Sequence, residues 1–151
     1  MENSMGFLDS MSVSASALTA TRMRMDIVAE NMANVNTTRT AEGTPYRRKY
    51  VVFQEMKSDK DVGFTTYLNR ANRTKGGVRV SHIGYDESEY KLDFNPTHPD
   101  ADEEGYVRMP NVDVVQEMVD MMSAYRAYEA NITAINAFKD MAVKTLELGK
   151  G

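Results

Sequence analysis

The apolar positions in the first third of the chain recur at alternating steps of three and four residues. The repeat runs through Leu8, Met11, Ala15, Leu18, Arg22, Met25, Ala29, Met32 and Asn36, with Thr21, Val28 and Val35 as a flanking row. Each heptad has two such positions. The one occupied by Met11, Leu18, Met25 and Met32 is always Leu or Met. This spacing is typical of coiled coils. It predicts a helix from Leu8 to Val35, about 42 Å long at the usual helical rise.

The last third of the chain carries the same repeat, opened by Pro110 and Asn111 and closed by Gly149. The main stripe is Val114, Met118, Met121, Tyr125, Tyr128, Ile132, Ile135, Lys139, Ala142 and Leu146. A second row is Asn131, Ala134, Phe138, Met141, Thr145 and Leu148. The pattern predicts a helix from Asn111 to Leu148, about 57 Å long.

Between these helices the pattern changes to short alternating runs rich in Val and Tyr. The runs are YRRKYVVFQEM, VGFTTYLN, GGVRVSHIGY and EYKLDFN, and YVRM adds a further short one before the C-terminal helix. Gly, Asn, Asp and Ser separate them, as expected for strands joined by turns. The sequence therefore predicts an α+β fold. Long N- and C-terminal α-helices (1–36 and 110–151) pair as a coiled-coil-like core, and a linker with a small β-rich middle domain spans 37–109.

Two paired helices cannot bury stripes this wide on both flanks. Tyr125, Tyr128, Phe138 and the methionine rows are expected to stay partly exposed in a single subunit. Such surfaces mark interaction sites, and methionine, present 12 times, suits contacts with several differing neighbours. The pattern predicts self-assembly through helical contacts that do not close on themselves.

Composition narrows the function classes further. A net charge of -4 argues against a nucleic-acid-binding face, and the absence of cysteine excludes disulfides and thiolate metal sites. The apolar runs are far shorter than the roughly 20 residues of a membrane span. We also expect no cleavable signal peptide, because the first residues lack a basic region and an unbroken apolar core.

Two features imitate chemical sites. The acidic loop from Asp100 to Glu104 resembles the start of a calcium loop, but Asn111 stands where a bidentate Glu is needed. The two histidines, His82 and His98, lie in separate segments without the partners that zinc or nucleophilic catalysis requires. We therefore expect no catalytic, cofactor or metal site.

The segment VAENMANVNTTRTAEGTPYRRKY joins the first helix to the first strand. Asn31 and Asn34 face away from the methionine row and are placed to bond a neighbouring helix or backbone. Asn36 falls on the stripe, where a buried Asn fixes register. We interpret the segment as a joint between the helix and the β-rich body.

The segments ASALTATRMRMDIVAENMANVNTTRT, GYVRMPNVDVVQEMVDM and YRAYEANITAINAFKDM resemble bacterial flagellar rod and hook proteins. PYRRKYVVFQ and GGVRV fit the same family, so the resemblance covers nearly the whole chain. Glu30 stands where the family usually has a second Asn, and Arg39-Thr40-Ala41 replaces the common Pro-Gly-Tyr run. Both that replacement and the short middle region favour the rod subgroup, and the proximal rod in particular.

The resemblance implies a non-enzymatic axial subunit of the basal-body rod that assembles helically in the periplasm and transmits motor torque. Implied partners are further copies, the rod proteins FlgB, FlgF and FlgG, the adaptor FliE and the flagellar type III export apparatus, with no cofactor and no membrane insertion. Phe7 to Met11 fits the export-gate element of such subunits, and Met11 fits equally well as a position of the heptad repeat alone. The expected assembly positions are Leu8, Met11, Leu18, Met25, Asn31, Met32, Asn34, Asn36, Met118, Met121, Tyr125, Tyr128, Asn131, Ile132, Ile135, Asn136, Phe138 and Leu146.

Two other functions fit parts of the same pattern. A coiled-coil regulatory or chaperone-like module would bind partner helices through the same stripes, as a stable protected dimer. An axial subunit would instead have protease-sensitive termini that order on assembly. An enzyme built on the β-rich body would need a converging nucleophile, base and orienting group, which the sequence lacks.

Overall fold

The computed structural model describes residues 2–56 and 76–149, with side chains from residue 9 onward. The elements are helix α1 (Glu2–Ala33), strands β1 (Lys49–Glu55), β2 (Val78–Tyr85), β3 (Lys91–Phe94) and β4 (Tyr106–Met109), and helix α2 (Val114–Leu148). The α+β prediction is confirmed. The predicted strand VGFTTYLN, at 62–69, lies outside the described residues.

The chain divides into two compact units. One consists of Met23–Val52 and His82–Ala124, so it holds the second part of α1, the first part of α2 and both strands of the β3–β4 pair. The terminal part of each helix belongs to the other unit. We call the unit of Met23–Val52 and His82–Ala124 the joint unit, because it contains the segment that links α1 to β1.

The joint unit has a small mixed core. Its buried apolar residues are Ile27, Val28, Tyr46, Val107, Val112 and Ala124. Each fully buried aliphatic side chain contributes roughly 1.5–3 kcal/mol. Asn31, Asn111 and Glu117 are buried among these residues, so the core of the unit is organised around polar groups as well as apolar ones.

The sheets are two antiparallel pairs. In β3–β4, Lys91 faces Met109 and Phe94 faces Tyr106, and the rings of Phe94 and Tyr106 meet edge to face with centroids 5.3 Å apart. Gly105 has φ +86°, and a Cβ there would lie 3.1 Å from both Phe94 and Pro96. Only glycine meets both demands without strain, so Gly105 permits the chain to return along β3.

The pairing of β1 with β2 is bounded by two backbone hydrogen bonds. Asp86 donates to the Arg48 carbonyl at 2.8 Å, and Met56 donates to the Gly77 carbonyl at 2.9 Å. As residue numbers rise along β1 those of its partner fall, so the strands are antiparallel. β1 begins at Lys49 and not at Tyr46, because Tyr46 turns inward and is buried.

The start of α2 differs from the prediction. The helix begins at Val114, three residues after the predicted Asn111. Asp113 Oδ1 accepts hydrogen bonds from the backbone N–H of Val115 at 2.9 Å and Gln116 at 3.2 Å. Asp113 is therefore the N-cap, and Pro110 to Val112 form a buried lead-in to the helix.

The end of α1 also falls earlier than predicted, at Ala33 and not at Val35. The backbone N–H and the side-chain Nδ2 of Asn34 both donate to the Glu30 carbonyl, at 3.1 and 2.9 Å. These bonds satisfy a terminal carbonyl that the helix leaves without a partner. Asn34 thus ends the helix locally.

The more buried face of α2 is rotated from the predicted stripe. The positions along this face are Glu117, Met121, Ala124, Tyr128, Asn131, Ile135, Phe138 and Ala142, again at steps of four and three, and all are buried or half-buried. Asp120 and Ala134, beside this row, are also half-buried. Only part of the predicted stripe lies on this face, because Met118, Tyr125, Ile132 and Leu146 are exposed. The rotation places Glu117 on the packed face of α2.

The packed face of α1 is also rotated from its predicted stripe. Val28, from the flanking row, is buried together with Ile27 and Asn31. The methionines of the predicted stripe, Met25 and Met32, are half-buried. The packed face of α1 is therefore centred beside the methionine row.

Among the described residues, no helix combines the length and the apolar character that crossing a membrane requires.

Candidate functional site

Asn31 lies at the centre of the joint unit with a relative exposure of 0%. Its Nδ2 donates to the Lys49 carbonyl at 2.8 Å and to Glu117 Oε2 at 3.0 Å. Its Oδ1 accepts from the Tyr46 hydroxyl and from the Lys49 backbone N–H, each at 2.9 Å. A side-chain amide has two donors and two acceptor positions. Asn31 therefore fills all four, and ties α1 to the start of β1 and to α2.

Glu117 is the charged member of this cluster. Its side chain is also fully buried, in the first turn of α2. Oε1 accepts from Arg48 Nε at 2.6 Å, and Oε2 accepts from Asn31. A buried carboxylate is tolerated when it is paired and hydrogen-bonded. Both oxygens meet this condition, so the carboxylate is held by one residue of α1 and one beside β1.

Arg48 connects Glu117 to a wider ion-pair network. Its Nη2 lies 3.3 Å from Asp120 Oδ2, and its Nη1 lies 3.9 Å from Asp86 Oδ2. Arg24 of α1 approaches the other oxygen of Asp120 at 3.1 Å. The second part of α1 and the first part of α2 are thus joined by two polar contacts, Asn31–Glu117 and Arg24–Asp120. Their order along the two helices is reversed, so the helices run antiparallel here.

Tyr46 and Lys49 close one side of the cluster. Burial raises the pKa of the Tyr46 phenol well above its ordinary value of 10, and the nearby charges of Glu30 and Glu117 raise it further. The Lys49 ammonium pairs with Glu30 at 2.5 Å and lies 5.6 Å from the centre of the Tyr46 ring. The phenol therefore stays protonated and donates to Asn31 at neutral pH.

A second buried amide, Asn111, holds the segment after β2. Its Oδ1 accepts from the Arg48 backbone N–H at 2.8 Å, and its Nδ2 donates to the Asp86 carbonyl and to Ser88 Oγ, each at 2.9 Å. The Ser88 backbone N–H and hydroxyl bond the Asp86 carboxylate and hold its pKa below the ordinary 3.8. Arg47 donates to the Asp86 carbonyl at 2.9 Å from the same side.

We call Asn31, Tyr46, Arg48, Asn111 and Glu117 the polar joint. Its donors and acceptors are engaged with one another, with backbone, and with the side chains of Asp86, Ser88 and Asp120. No buried side-chain nitrogen or oxygen of the described residues lacks a hydrogen-bond partner. The arrangement can fix the orientation of three chain segments, which is a mechanical role. It offers no accessible nucleophile or base to a substrate.

The acidic loop is committed to local contacts. Asp100 Oδ2 accepts from Thr38 Oγ1 at 2.8 Å, and Asp102 Oδ1 accepts from the backbone N–H groups of Glu104 and Tyr106 at 3.0 and 2.8 Å. Within residues 2–56 and 76–149, no three His, Cys, Asp or Glu side chains are grouped so that they could hold a metal ion.

The two histidines lie in different segments of the structure. His98 Nδ1 accepts from the Asp100 backbone N–H at 3.1 Å, and His82 lies in β2. His98 therefore borders the acidic loop.

The predicted assembly positions fall into three groups by burial. Those exposed are Asn36, Met118, Tyr125, Ile132, Asn136 and Leu146; those half-buried are Met11, Leu18, Met25, Met32, Asn34, Met121, Tyr128, Asn131, Ile135 and Phe138; Asn31 is buried. The side chains of Phe7 and Leu8 lie outside the described residues. All polar atoms of the Asn31 side chain are used within the subunit, and the roles of all these positions in assembly stay predictions.

Sequence reasoning missed Arg48, Tyr46, Asn111 and Glu117 as members of one cluster. In the sequence, Glu117 falls in the predicted C-terminal helix and Arg48 in the alternating run YRRKYVVFQEM, and neither pattern connects the two. One available signal was that Glu117, Met121, Ala124 and Tyr128 follow one another at steps of four, three and four, so Glu117 lies in line with them on one helix face. An acid on a packed face needs a partner, but the sequence could not say which one.

Comparison with known proteins agrees with this mechanical arrangement. Residues 103–148 match the family model described as flagellar basal body rod FlgEFG protein C-terminal. Residues 11–39 match the model described as flagella basal body rod protein. The first segment contains β4 and all of α2, and the second contains α1 from Met11 onward with the residues that follow it.

Similar full-length proteins carry one name. The flagellar basal-body rod protein FlgC of Bacillus subtilis (strain 168) is 50% identical over 149 residues, covering 93% of this chain and 97% of that one. FlgC of Borreliella burgdorferi is 44% identical over 154 residues (97% and 100%), and FlgC of Salmonella typhimurium is 42% identical over 146 residues (97% and 100%). With relatives this similar along nearly the whole chain, the protein belongs to the FlgC family of flagellar basal-body rod proteins.

Proposed function

We propose that this chain is a structural subunit of the flagellar basal-body rod, and that it polymerises helically through its two long helices. The observation that carries the proposal is the exposed apolar row along α2. Met118 is 50% exposed, Tyr125 54% and Leu146 69%, and all three belong to the stripe that the heptad pattern predicts. A row of large apolar side chains in water is a surface for a protein partner.

The contacts that this row makes decide the form of the assembly. In a rod each subunit meets its neighbours through different faces, so the contacts are heterologous and extend into a helical filament instead of closing. A rod subunit must hold its own helices together and must also contact its neighbours. A long helix with one packed face and one exposed apolar face can do both. The packed face holds the subunit together, and the exposed face meets the next subunit.

The polar joint supports a role in carrying load. Buried hydrogen-bonded networks with every member satisfied make a structure rigid. Within the joint unit, Asn31 and Glu117 connect α1, α2 and β1 through such a network. A subunit that transmits torque needs its outer body to follow its assembly helices, and this network couples the two.

Family membership implies that the subunit associates with other components of the basal body and is located there. More specifically, we propose neighbours among FlgB, FlgF, FlgG and the adaptor FliE, at the proximal end of the rod in the periplasm. We further propose delivery by the flagellar type III export apparatus without cleavage of a signal peptide, with Phe7 to Met11 as the export-gate element. No catalytic activity is part of the proposal.

Cryo-electron microscopy of basal bodies tests this function. Basal bodies would be isolated from a strain in which this chain replaces the resident subunit. The expected result is density for both helices in the wall at the base of the rod. Intact rods that lack this density would reject the proposal. A free subunit that forms a protease-resistant dimer would favour the coiled-coil module instead.

A further inference from the structure

We propose that Glu117 is a positioning residue that sets the register between α1 and α2 in the joint unit. The apolar contacts there do not specify one register well. The packed face of α2 presents Met121 and Ala124, and that of α1 presents Val28. Met is flexible and Ala is small, so these side chains accept more than one offset along the helix axis.

The polar contacts do specify an offset. The Glu117 carboxylate reaches Asn31 at 3.0 Å and Arg48 at 2.6 Å in the observed register. A shift of one heptad would bring Ala124 opposite Asn31. The buried amide would then lose an acceptor, and the carboxylate would lose both of its partners. A single buried polar contact is known to fix helix register in coiled coils at some cost in stability.

Glu117 is better suited to this role than the other charged residue at the contact. Asp120 also joins the two helices, through Arg24, but the side chains of that pair are 21% and 36% exposed. Water reaches this half-buried ion pair and can replace a lost partner at lower cost than in a fully buried pair. It cannot do so for Glu117, whose side chain is fully buried, so only Glu117 penalises a shifted register strongly.

The inference concerns the subunit alone, so its test is independent of rod assembly. Spin labels would be attached to cysteines introduced at Ala29 and Val119, both exposed, in a chain that has no cysteine of its own. Pulsed electron paramagnetic resonance then measures the distance between α1 and α2. We expect one distance population in the otherwise unchanged chain. One heptad corresponds to an axial shift of about 10 Å, which the method resolves.

Three variants separate register from stability. Glu117→Met keeps the volume but removes the carboxylate, and we expect a second, displaced distance population. Glu117→Gln restores an acceptor for Asn31 and is expected to restore the single population. Val28→Ala removes buried apolar surface from the same face and lowers the melting temperature, but should leave the single population unchanged. Each variant is measured well below its own melting temperature.

Several results would overturn the proposal. A single population at the unchanged distance in Glu117→Met would show that other contacts set the register. An equal broadening in Val28→Ala would show that loss of packing is sufficient. Two populations in the unchanged chain would also contradict it. So would a Glu117→Met chain that does not fold, because Arg48 keeps Asp120 and Asp86 as partners and folding should survive.

Discussion

The Arg48 guanidinium pairs with a Glu117 carboxylate that is fully buried, at an Nε–Oε1 distance of 2.6 Å. Removing one member of a buried ion pair leaves the other charge without compensation and costs about 3–5 kcal/mol. We therefore expect Arg48→Met to lower the free energy of unfolding by roughly 3 kcal/mol. Urea denaturation followed by circular dichroism measures the change.

Arg39 provides the matched control for this prediction. Its side chain is 72% exposed and lies 3.7 Å from Asp100. Exposed ion pairs contribute less than about 1 kcal/mol, so Arg39→Met should change the urea midpoint only slightly. Equal effects of the two substitutions would contradict the role assigned to Arg48.

The two residues of this pair also show where sequence reasoning stops. The heptad spacing predicted both helices, and the alternating runs predicted the four described strands though not their first residues, because side-chain periodicity reflects local geometry. Arg48 and Glu117 are 69 residues apart. Their pairing depends on how α2 packs beside β1, which no local pattern encodes.

The rotation of the packed helix faces has the same origin. A heptad stripe shows which residues are apolar, but in this chain two apolar surfaces compete for the packed side of each helix. The stripe through Met118 and Tyr125 is more apolar, yet the face with Glu117 and Ala124 is the one packed in the subunit. The buried amide and carboxylate are both hydrogen-bonded on that face, and the more apolar stripe remains available to neighbours. The sequence predicted a shared assembly surface but not which half of it the subunit retains.

Asn31→Leu should destabilise the subunit although it makes the core more apolar. The substitution leaves the Tyr46 hydroxyl and the Lys49 backbone groups without their partner. Each buried polar group without a partner costs about 1–3 kcal/mol, so we expect a total loss of roughly 3 kcal/mol in chemical denaturation. Asn34→Ala is the comparison, because Asn34 is half-buried at the end of α1 and bonds its own helix. A smaller loss in Asn31→Leu than in Asn34→Ala would contradict this account.

Alkaline pH should weaken the joint through Tyr46. Its pKa is raised in the folded subunit, mainly by burial, so folding favours the protonated phenol. The resulting stability is complete below the ordinary pKa of 10 and is lost as the pH rises beyond it. We expect the urea midpoint to fall above about pH 10. Tyr46→Phe should be less stable at neutral pH, because Asn31 loses a donor, but should show a shallower decline at alkaline pH. Parallel pH profiles for the two chains would argue against Tyr46 as the cause.

Acid should loosen the start of α2 through Asp113. Hydrogen bonds from the Gln116 and Val115 backbone hold the pKa of the Asp113 carboxyl below its ordinary 3.8. A lowered folded-state pKa gives stability that is present above the unfolded value and lost as the pH falls below it. Helix content measured by circular dichroism should therefore decrease as the pH falls below about 4. Asp113→Asn keeps a good N-cap without a titrating group. Its helix content should therefore fall less in acid than that of the unchanged chain. An unchanged acid profile in Asp113→Asn would exclude this contribution.

The exposed row on α2 can be separated from the fold of the subunit by one pair of substitutions. Tyr125 lies on the row and is 54% exposed, whereas Ser123 is exposed on another side of the same helix. Tyr125→Glu and Ser123→Glu change the charge equally. Surface substitutions away from special features usually alter stability by less than about 0.5 kcal/mol, so both free subunits should unfold at nearly the same urea concentration.

In a strain that lacks its own subunit, swimming and intact rods should return with Ser123→Glu but not with Tyr125→Glu, because a charge on the row must be desolvated in the contact with a neighbour. Rods that form equally well with both substitutions would show that assembly does not use this face.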